Sequence, residues 1–228
     1  FPEIWYSWRH QMQAVAAVGY RAIAPDCRGY GLSDQPPEHE EPSWEDLVAD
    51  VLAILDALSI PKVRQRWRQP GRAEADFGWY NIRCVVRTIY VLFSGREVPA
   101  AEQGQETMDL ADGSAPLPEW FTEEDLDVYA ALYENSGFGY PIKMPYGSLD
   151  KMATQLEARF EVPVLMVMGE KDYVMKLPGF EAAVRGGMMA GFAPDLKVAF
   201  VPEGRHFVQE QFPAQVNELL LGFLKDHP

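Results

Sequence analysis

Apolar side chains recur at helical spacing near both ends of the chain. Over residues 5–18 they repeat every three to four positions and stop at Gly19, which predicts a helix that ends at a glycine. The same pattern over 43–58, with Ser43 and Asp46 at its start, predicts a second helix. Further helices are predicted at 122–134, behind Thr122 as the cap, at 178–186 and at 213–225.

Three continuous apolar runs are typical of strands that are buried on both faces of a parallel sheet. They lie at 20–25, 162–169 and 196–201, with proline and glycine nearby. The glycine-rich stretch 26–34, which follows the first run, is predicted to be a loop. Because strands and helices alternate along the chain, the predicted fold class is α/β, with parallel strands and flanking helices.

The middle of the chain has a different pattern. Residues 64–160 hold two or three helical patterns that are often broken by glycine and proline, and 84–93 fits either a helix or a strand. This predicts a mostly helical insert between two parts of an α/β core. The predicted division is an N-terminal core part at 1–62, the insert at 63–160 and a C-terminal core part at 161–228.

The charge of the chain argues against several classes of function. Its 228 residues carry a formal net charge of −14, which disfavours a general nucleic-acid binder. Between Lys62 and Arg96, however, eight residues are basic and two are acidic. This stretch is either an anion or nucleic-acid patch or a solvated helical surface, and the acidic remainder favours the solvated surface. No apolar run reaches the roughly 18 residues of a membrane helix, so no membrane contact is expected.

The two cysteines indicate the redox environment. Cys27 and Cys84 give neither a metal-ligand spacing nor a disulfide framework. They favour a reducing compartment, so a soluble, cytoplasmic protein without a metal site is expected.

One of the four histidines follows a predicted buried strand. His206 lies just after the run at 196–201, and Asp172 lies just after the run at 162–169. In open α/β sheets, catalytic groups collect beyond the carboxyl ends of the strands. A carboxylate there accepts the Nδ1 proton of imidazole and stabilises the imidazolium that forms in base catalysis. Either residue alone is more often structural, but together they form a candidate catalytic pair.

Several stretches of the chain resemble one enzyme family. Residues 1–11 resemble the segment after the oxyanion turn of the α/β-hydrolase epoxide hydrolases, and residues 26–34 are similar to their Arg-Gly-Tyr-Gly loop. Residues 67–78 resemble the start of the cap in the plant soluble enzymes, and residues 204–210 resemble their histidine loop. The likeness extends over nearly the whole chain and implies an α/β-hydrolase core in which the helical insert is a cap.

The resemblance also implies a chemistry. In this family an aspartate at a nucleophile elbow opens the epoxide, and a histidine–carboxylate pair then activates the water that releases a vicinal diol. Two cap tyrosines donate hydrogen bonds to the epoxide oxygen. By position, His206 matches the base, Asp172 the acid that orients it, and Tyr146 the second cap tyrosine, with Gly147 where many relatives carry arginine. Phe1 matches a residue whose backbone N–H serves the oxyanion hole. The implied substrate is a small apolar epoxide of the fatty-acid or aryl class, and no cofactor is implied.

One part of the family pattern is missing from the sequence. No Gly-x-(Ser/Asp/Cys)-x-Gly elbow follows a predicted strand, and the nearest stretch, Glu74–Gly78, lacks the first glycine. By comparison with the family, a strand–helix–strand unit, on the order of 30 residues or more, is expected to be absent between Val63 and Arg64. The first cap tyrosine would be absent with it. The chain is also expected to be truncated before Phe1.

Three hypotheses fit these observations. The first is an epoxide hydrolase that still turns over, the second a non-catalytic remnant that binds an apolar ligand or partner through the cap, and the third an unstable truncated product. The absent nucleophile favours an inactive family member. A haloalkane dehalogenase is less favoured, because the cap resembles that of epoxide hydrolases. Unpaired buried strands leave backbone groups unsatisfied at roughly 1–3 kcal/mol each, so self-association through exposed strand edges is expected.

Overall fold

Helices and two parallel strands form where the periodicity of the sequence predicts them. The structure is a computed structural model that describes residues 1–37, 44–57, 80–95, 107–110, 112–141, 160 and 162–227. Its strands are β1 (Val164–Gly169) and β2 (Leu196–Val201). Its α-helices are α1 (Arg9–Ala17), α2 (Trp44–Ala57), α3 (Ile82–Phe93), α4 (Glu123–Ser136), α5 (Phe180–Arg185), α6 (Val208–Gln211) and α7 (Pro213–Asp226). Short 3-10 helices lie at Trp5–Trp8, Thr107–Leu110, Tyr173–Lys176 and Met188–Gly191.

Local signals in the sequence set the ends of two helices. After α1, the Gly19 N–H donates to the carbonyl of Ala16 at 3.0 Å, and Gly19 has a left-handed φ of 93° that glycine adopts without strain. At the start of α4, the Asp125 N–H donates to the Thr122 hydroxyl at 3.0 Å, and the Thr122 N–H donates back to the Asp125 carboxylate at 3.1 Å. Both predicted helices are therefore confirmed.

The ambiguous stretch at 84–93 belongs to helix α3. The Asn81 side chain caps it by accepting from the Arg83 N–H at 2.9 Å. The helix packs against α4 through one apolar face. The buried apolar side chains of that face are Val85, Val86, Ile89, Tyr90 and Leu92.

The two strands pair in parallel along their whole length. The register runs from Val164 opposite Leu196 to Gly169 opposite Val201. Helix α7 packs against both strands. These are the only strands in the described ranges, and both were predicted.

The prediction of a strand at 20–25 is wrong. Residues 20–27 have no regular secondary structure, and no hydrogen bond joins the backbone of residues 21–25 to any described residue. Side chains still alternate there: Arg21, Ile23 and Pro25 are exposed, whereas Ala22 and Ala24 are half-buried. This alternation fits an extended chain, but a strand exists only where a neighbour pairs with it. The described part of the chain provides no such neighbour.

The largest hydrophobic core is aromatic and contains residues from all three predicted parts of the chain. The ring of Tyr90 in α3 stacks on Phe121 at a centroid distance of 4.0 Å and on Phe207 at 4.4 Å. Ile4 and Tyr30 from the N-terminal part are buried in the same cluster. The boundaries between 1–62, 63–160 and 161–228 stay a prediction. No helix within the described ranges has the length and apolarity needed to cross a bilayer.

Candidate active site

His206 and Asp172 lie side by side at the carboxyl ends of the two strands. Nδ1 of His206 is 3.2 Å from Oδ2 of Asp172 and 3.3 Å from Oδ1. The Asp172 side chain is 7% exposed and that of His206 is 35% exposed. With a proton on Nδ1, the ring donates to a buried carboxylate and keeps Nε2 as its basic nitrogen. The structure thus brings the predicted pair together, and its catalytic role stays a prediction.

Asp172 also caps the 3-10 helix that follows it. Its Oδ1 accepts from the Val174 N–H at 3.1 Å, and its backbone carbonyl accepts from the Met175 N–H at 3.1 Å. A carboxylate has enough lone pairs to serve the cap and the imidazole together. The cap therefore fixes the direction in which Asp172 faces His206.

Backbone hydrogen bonds tie the loop after β1 to the loop after β2. The Glu170 N–H donates to the carbonyl of Val201 at 3.0 Å, and the Lys171 N–H donates to the carbonyl of Gly204 at 2.9 Å. These bonds continue the pairing of the two segments beyond the ends of the strands. The loops that carry Asp172 and His206 cannot separate without breaking them.

Two glycines permit this close approach. A Cβ on Gly169 would lie 2.2 Å from the carbonyl carbon of Gly204, and a Cβ on Gly204 would lie 2.9 Å from the Cα of Gly169. Backbone atoms cannot yield as a flexible side chain can, so any larger residue would push the loops apart.

Aromatic rings surround the imidazole of His206. The centroid of its ring is 4.9 Å from that of Tyr173, 5.2 Å from that of Phe207 and 5.8 Å from that of Phe93. Phe93 ends helix α3, so one of these rings comes from the stretch predicted to be the insert. Such an environment suits an apolar ligand beside a polar reacting group.

The other predicted site residues do not join this pair. Tyr146 lies outside the described residues, as do the Val63–Arg64 junction and Glu74–Gly78. Phe1 packs edge-on against Tyr133 and Phe138, at centroid distances of 5.6 and 5.5 Å. Its role in an oxyanion hole stays a prediction.

No signal in the sequence predicts that the carboxylate at the end of the 204–210 stretch is buried. Glu210 has a side chain that is 0% exposed. Its Oε1 accepts from the Tyr90 hydroxyl at 2.8 Å and from the Tyr129 hydroxyl at 3.1 Å, and its Oε2 accepts from Nη1 of Arg9 at 2.6 Å. A glutamate in a short helix carries no sequence signal for burial, since its three donors come from distant parts of the chain.

Burial governs the protonation of Glu210 and of the two tyrosines that donate to it. Desolvation raises the pKa of Glu210 to about 7, although Arg9 and the two tyrosines oppose the shift. Desolvation also holds the pKa of Tyr90 and that of Tyr129 well above the ordinary value, so both hydroxyls keep their protons and remain donors. Asp125 forms a second ion pair with Arg9, with 3.0 Å between Oδ1 of Asp125 and Nη2 of Arg9. The positive charge of Arg9 is therefore shared between Glu210 and Asp125.

The described residues include no group of three or more histidine, cysteine, aspartate or glutamate side chains that could hold a metal ion.

Known proteins that are similar to this chain include epoxide hydrolases. A family model for the alpha/beta hydrolase fold matches residues 1–63. Epoxide hydrolase 2 of Siraitia grosvenorii is 27% identical over an alignment of 286 positions, which covers 99% of this chain and 89% of the relative. Epoxide hydrolase B of Mycobacterium tuberculosis is 27% identical, with 98% of this chain and 89% of the relative covered.

Solved structures give the same result. An epoxide hydrolase from Vigna radiata is 25% identical and superposes with a TM-score of 0.82, covering 99% of this chain and 89% of the other. Potato epoxide hydrolase I is 26% identical with a TM-score of 0.80, covering 99% and 90%. The predicted α/β fold class is confirmed, and the likeness extends over nearly the whole chain.

Proposed function

We propose that this chain, which belongs to the α/β-hydrolase superfamily and resembles its plant epoxide hydrolases, keeps the base half of an epoxide-hydrolase site and lacks the attacking carboxylate. The observation that carries the proposal is the contact of His206 with Asp172 at 3.2 Å, in a chain whose sequence has no nucleophile elbow.

The reaction implied by the resemblance has two steps. In the first, a carboxylate oxygen bonds to an epoxide carbon, the carbon–oxygen bond of the ring breaks, and a tyrosine protonates the alkoxide. In the second, Nε2 of His206 takes a proton from water as the water oxygen attacks the ester carbonyl. The bond from that carbon to the alkoxy oxygen then breaks, and the imidazolium returns the proton to the leaving alkoxide, which departs as the diol. The new carboxyl group gives its proton to the tyrosinate left by the first step, so the carboxylate and the tyrosine are both restored. His206 and Asp172 serve the second step only. Without the first step there is no ester for the water to attack, so the chain is expected to be inactive.

The lengths of the alignments support a missing internal segment. The match to the Siraitia enzyme runs over an alignment of 286 positions, whereas this chain has 228 residues. Because the match covers 99% of the chain, the surplus positions are ones at which the relative has residues and this chain has none. A strand–helix–strand unit with an elbow is a segment of the right kind to account for part of this difference.

Diol formation tests the proposed inactivity. The purified chain and His206→Gln are incubated with a styrene-type or fatty-acid epoxide, and diol is measured by mass spectrometry beside the intact protein mass. We expect no diol above the His206→Gln control and no covalent adduct. Diol that disappears in His206→Gln, or an alkyl adduct on any Asp or Glu, would overturn the proposal.

Apolar ligand binding is the second candidate function. The rings of Tyr173, Phe207 and Phe93 around His206 favour it, because an apolar epoxide or diol gains from contact with them. The melting temperature is measured with and without the epoxide. A rise without diol supports binding, whereas a chain with no cooperative melt and strong ANS fluorescence is the unstable product.

Self-association is a further property that we propose for this chain. Residues 21–25 leave their backbone groups without hydrogen-bond partners in the described structure, and Ile23 is 43% exposed. Light scattering over a concentration series would detect association, and Ile23→Lys is expected to weaken it. Met188→Lys changes a still more exposed apolar side chain, 68% exposed, outside this segment and is the control. A chain that remains monomeric at every concentration would contradict this proposal.

A further inference from the structure

Helix α3 of the insert contacts the chain on both sides of His206. On one side, the Arg205 guanidinium donates to the backbone carbonyl of Ser94, at the end of α3. On the other side, the ring of Phe207 stacks on Tyr90 of α3 with a centroid distance of 4.4 Å. The imidazole between them is held where these two neighbours place it.

The loop between β2 and α6, residues 202–207, has few hydrogen bonds that hold its shape. The Gly204 N–H donates to the carbonyl of Val201 at 2.9 Å, and the Arg205 N–H donates to the Gln211 side chain at 2.9 Å. The Glu210 N–H donates to the carbonyl of Phe207 at 3.1 Å, so Phe207 and Glu210 belong to one turn. A shift of Glu210 would therefore move Phe207, and His206 with it.

The Glu210 carboxylate links this turn to two helices of the insert. It accepts from the hydroxyls of Tyr90 in α3 and Tyr129 in α4, as well as from Arg9 in α1. The Tyr129 hydroxyl lies 2.6 Å from that of Ser7, which fixes the tyrosine in turn. Buried networks whose members are all satisfied hold one geometry, because each lost bond leaves a buried polar group unpaired.

We propose that Glu210, Tyr90 and Tyr129 form a clamp that positions His206 against Asp172, so that docking of the insert sets the geometry of the base. These three are positioning residues, since none of them contacts the imidazole or Asp172 through a described hydrogen bond. The significance of this clamp for catalysis rests on the proposed function, but the clamp itself is a property of the fold. A displacement of about 1 Å at a catalytic group is enough to impair it.

The Nδ1 proton of His206 gives a readout that does not require turnover. Its resonance in the downfield proton spectrum is assigned by its loss in His206→Gln. The double variant Tyr90→Phe/Tyr129→Phe removes both hydroxyl donors to Glu210 and keeps both rings. Tyr133→Phe is the matched control, because the Tyr133 hydroxyl is equally buried and donates to the Pro2 carbonyl at 2.8 Å, away from the clamp.

The double variant is expected to lose the His206 resonance, and Tyr133→Phe is expected to keep it even though its melting temperature falls as well. If the double variant does not fold, Tyr90→Phe alone is used, with a faster exchange of the same proton as the expected result. The proposal is overturned if the clamp variants keep the resonance with unchanged exchange, if Tyr133→Phe loses it to the same extent, or if the wild-type chain lacks it. Diol formation by the wild-type chain would contradict the proposed function and leave this test unaffected.

Discussion

The buried carboxyl group of Glu210 makes the stability of the chain depend on pH in a direction that is unusual for an acidic side chain. Its pKa rises from 4.5 to about 7, chiefly because its side chain is fully removed from water. The folded chain therefore holds this proton more tightly than the unfolded chain does. Glu210 contributes most to stability below about pH 4.5, and this contribution is lost as the pH rises through about 7.

The magnitude follows from the size of the shift. A change of one pKa unit corresponds to about 1.4 kcal/mol, so a rise from 4.5 to about 7 corresponds to roughly 3 kcal/mol of unfolding free energy lost across this window. The loss arises because the free-energy cost of desolvating the buried carboxylate exceeds the stabilisation from its bonds to Arg9 and the two tyrosines. For a domain of ordinary stability, about 5–15 kcal/mol in total, this is a large fraction.

Urea unfolding followed by tryptophan fluorescence measures the effect. The wild-type chain, Glu210→Gln and the surface control Glu218→Gln are unfolded at several values between about pH 5 and pH 8. We expect the wild type and Glu218→Gln to lose stability together as the pH rises, and Glu210→Gln to lose roughly 2–3 kcal/mol less over the same range. If the wild type instead gains stability relative to Glu210→Gln as the pH rises, the ion pair with Arg9 outweighs desolvation and the reasoning is refuted.

Other predictions concern the site and one helix. Gly169→Ala places a Cβ against the backbone of Gly204. It is expected to lower the free energy of unfolding in urea by about 1–3 kcal/mol and to weaken the His206 Nδ1 resonance. The control Gly191→Ala, whose Cβ meets open space, is expected to do neither. An unchanged resonance in Gly169→Ala would show that the two loops are not held by this contact. Asp172→Asn removes the charged acceptor of the imidazole and is expected to shift or abolish the same resonance, and a spectrum identical to the wild type would contradict the pairing. Thr122→Ala removes the cap of α4 and is expected to lower stability by about 1 kcal/mol in the same urea assay, with Thr122→Ser as the variant that restores it.

Much of the candidate site was predictable because the relevant signals are local. His206 and Asp172 each follow a strand that the apolar runs predict, and parallel strands bring their carboxyl ends to one edge of a sheet. The distance of 3.2 Å between Nδ1 of His206 and Oδ2 of Asp172 depends on more than the arrangement of the two strands. It also needs the contact between Gly169 and Gly204, and nothing in the sequence marks these two glycines as the ones that meet.

The failed prediction at 20–25 has a physical reason. Apolar side chains and a short length indicate that a segment is suited to a strand, but hydrogen bonds to a neighbour make it one. No described residue pairs with the backbone of 21–25, so a suitable segment remains without a sheet.

The sequence by itself determined five of the seven described α-helices, the two paired strands and the resemblance to one hydrolase family, because periodicity, caps and motifs act over a few neighbouring residues. The tertiary structure alone decided that Glu210 is buried among Arg9, Tyr90 and Tyr129, and that the backbone of residues 21–25 has no hydrogen-bond partner among the described residues. Burial and pairing depend on which distant segments meet, and that is a property of the whole fold.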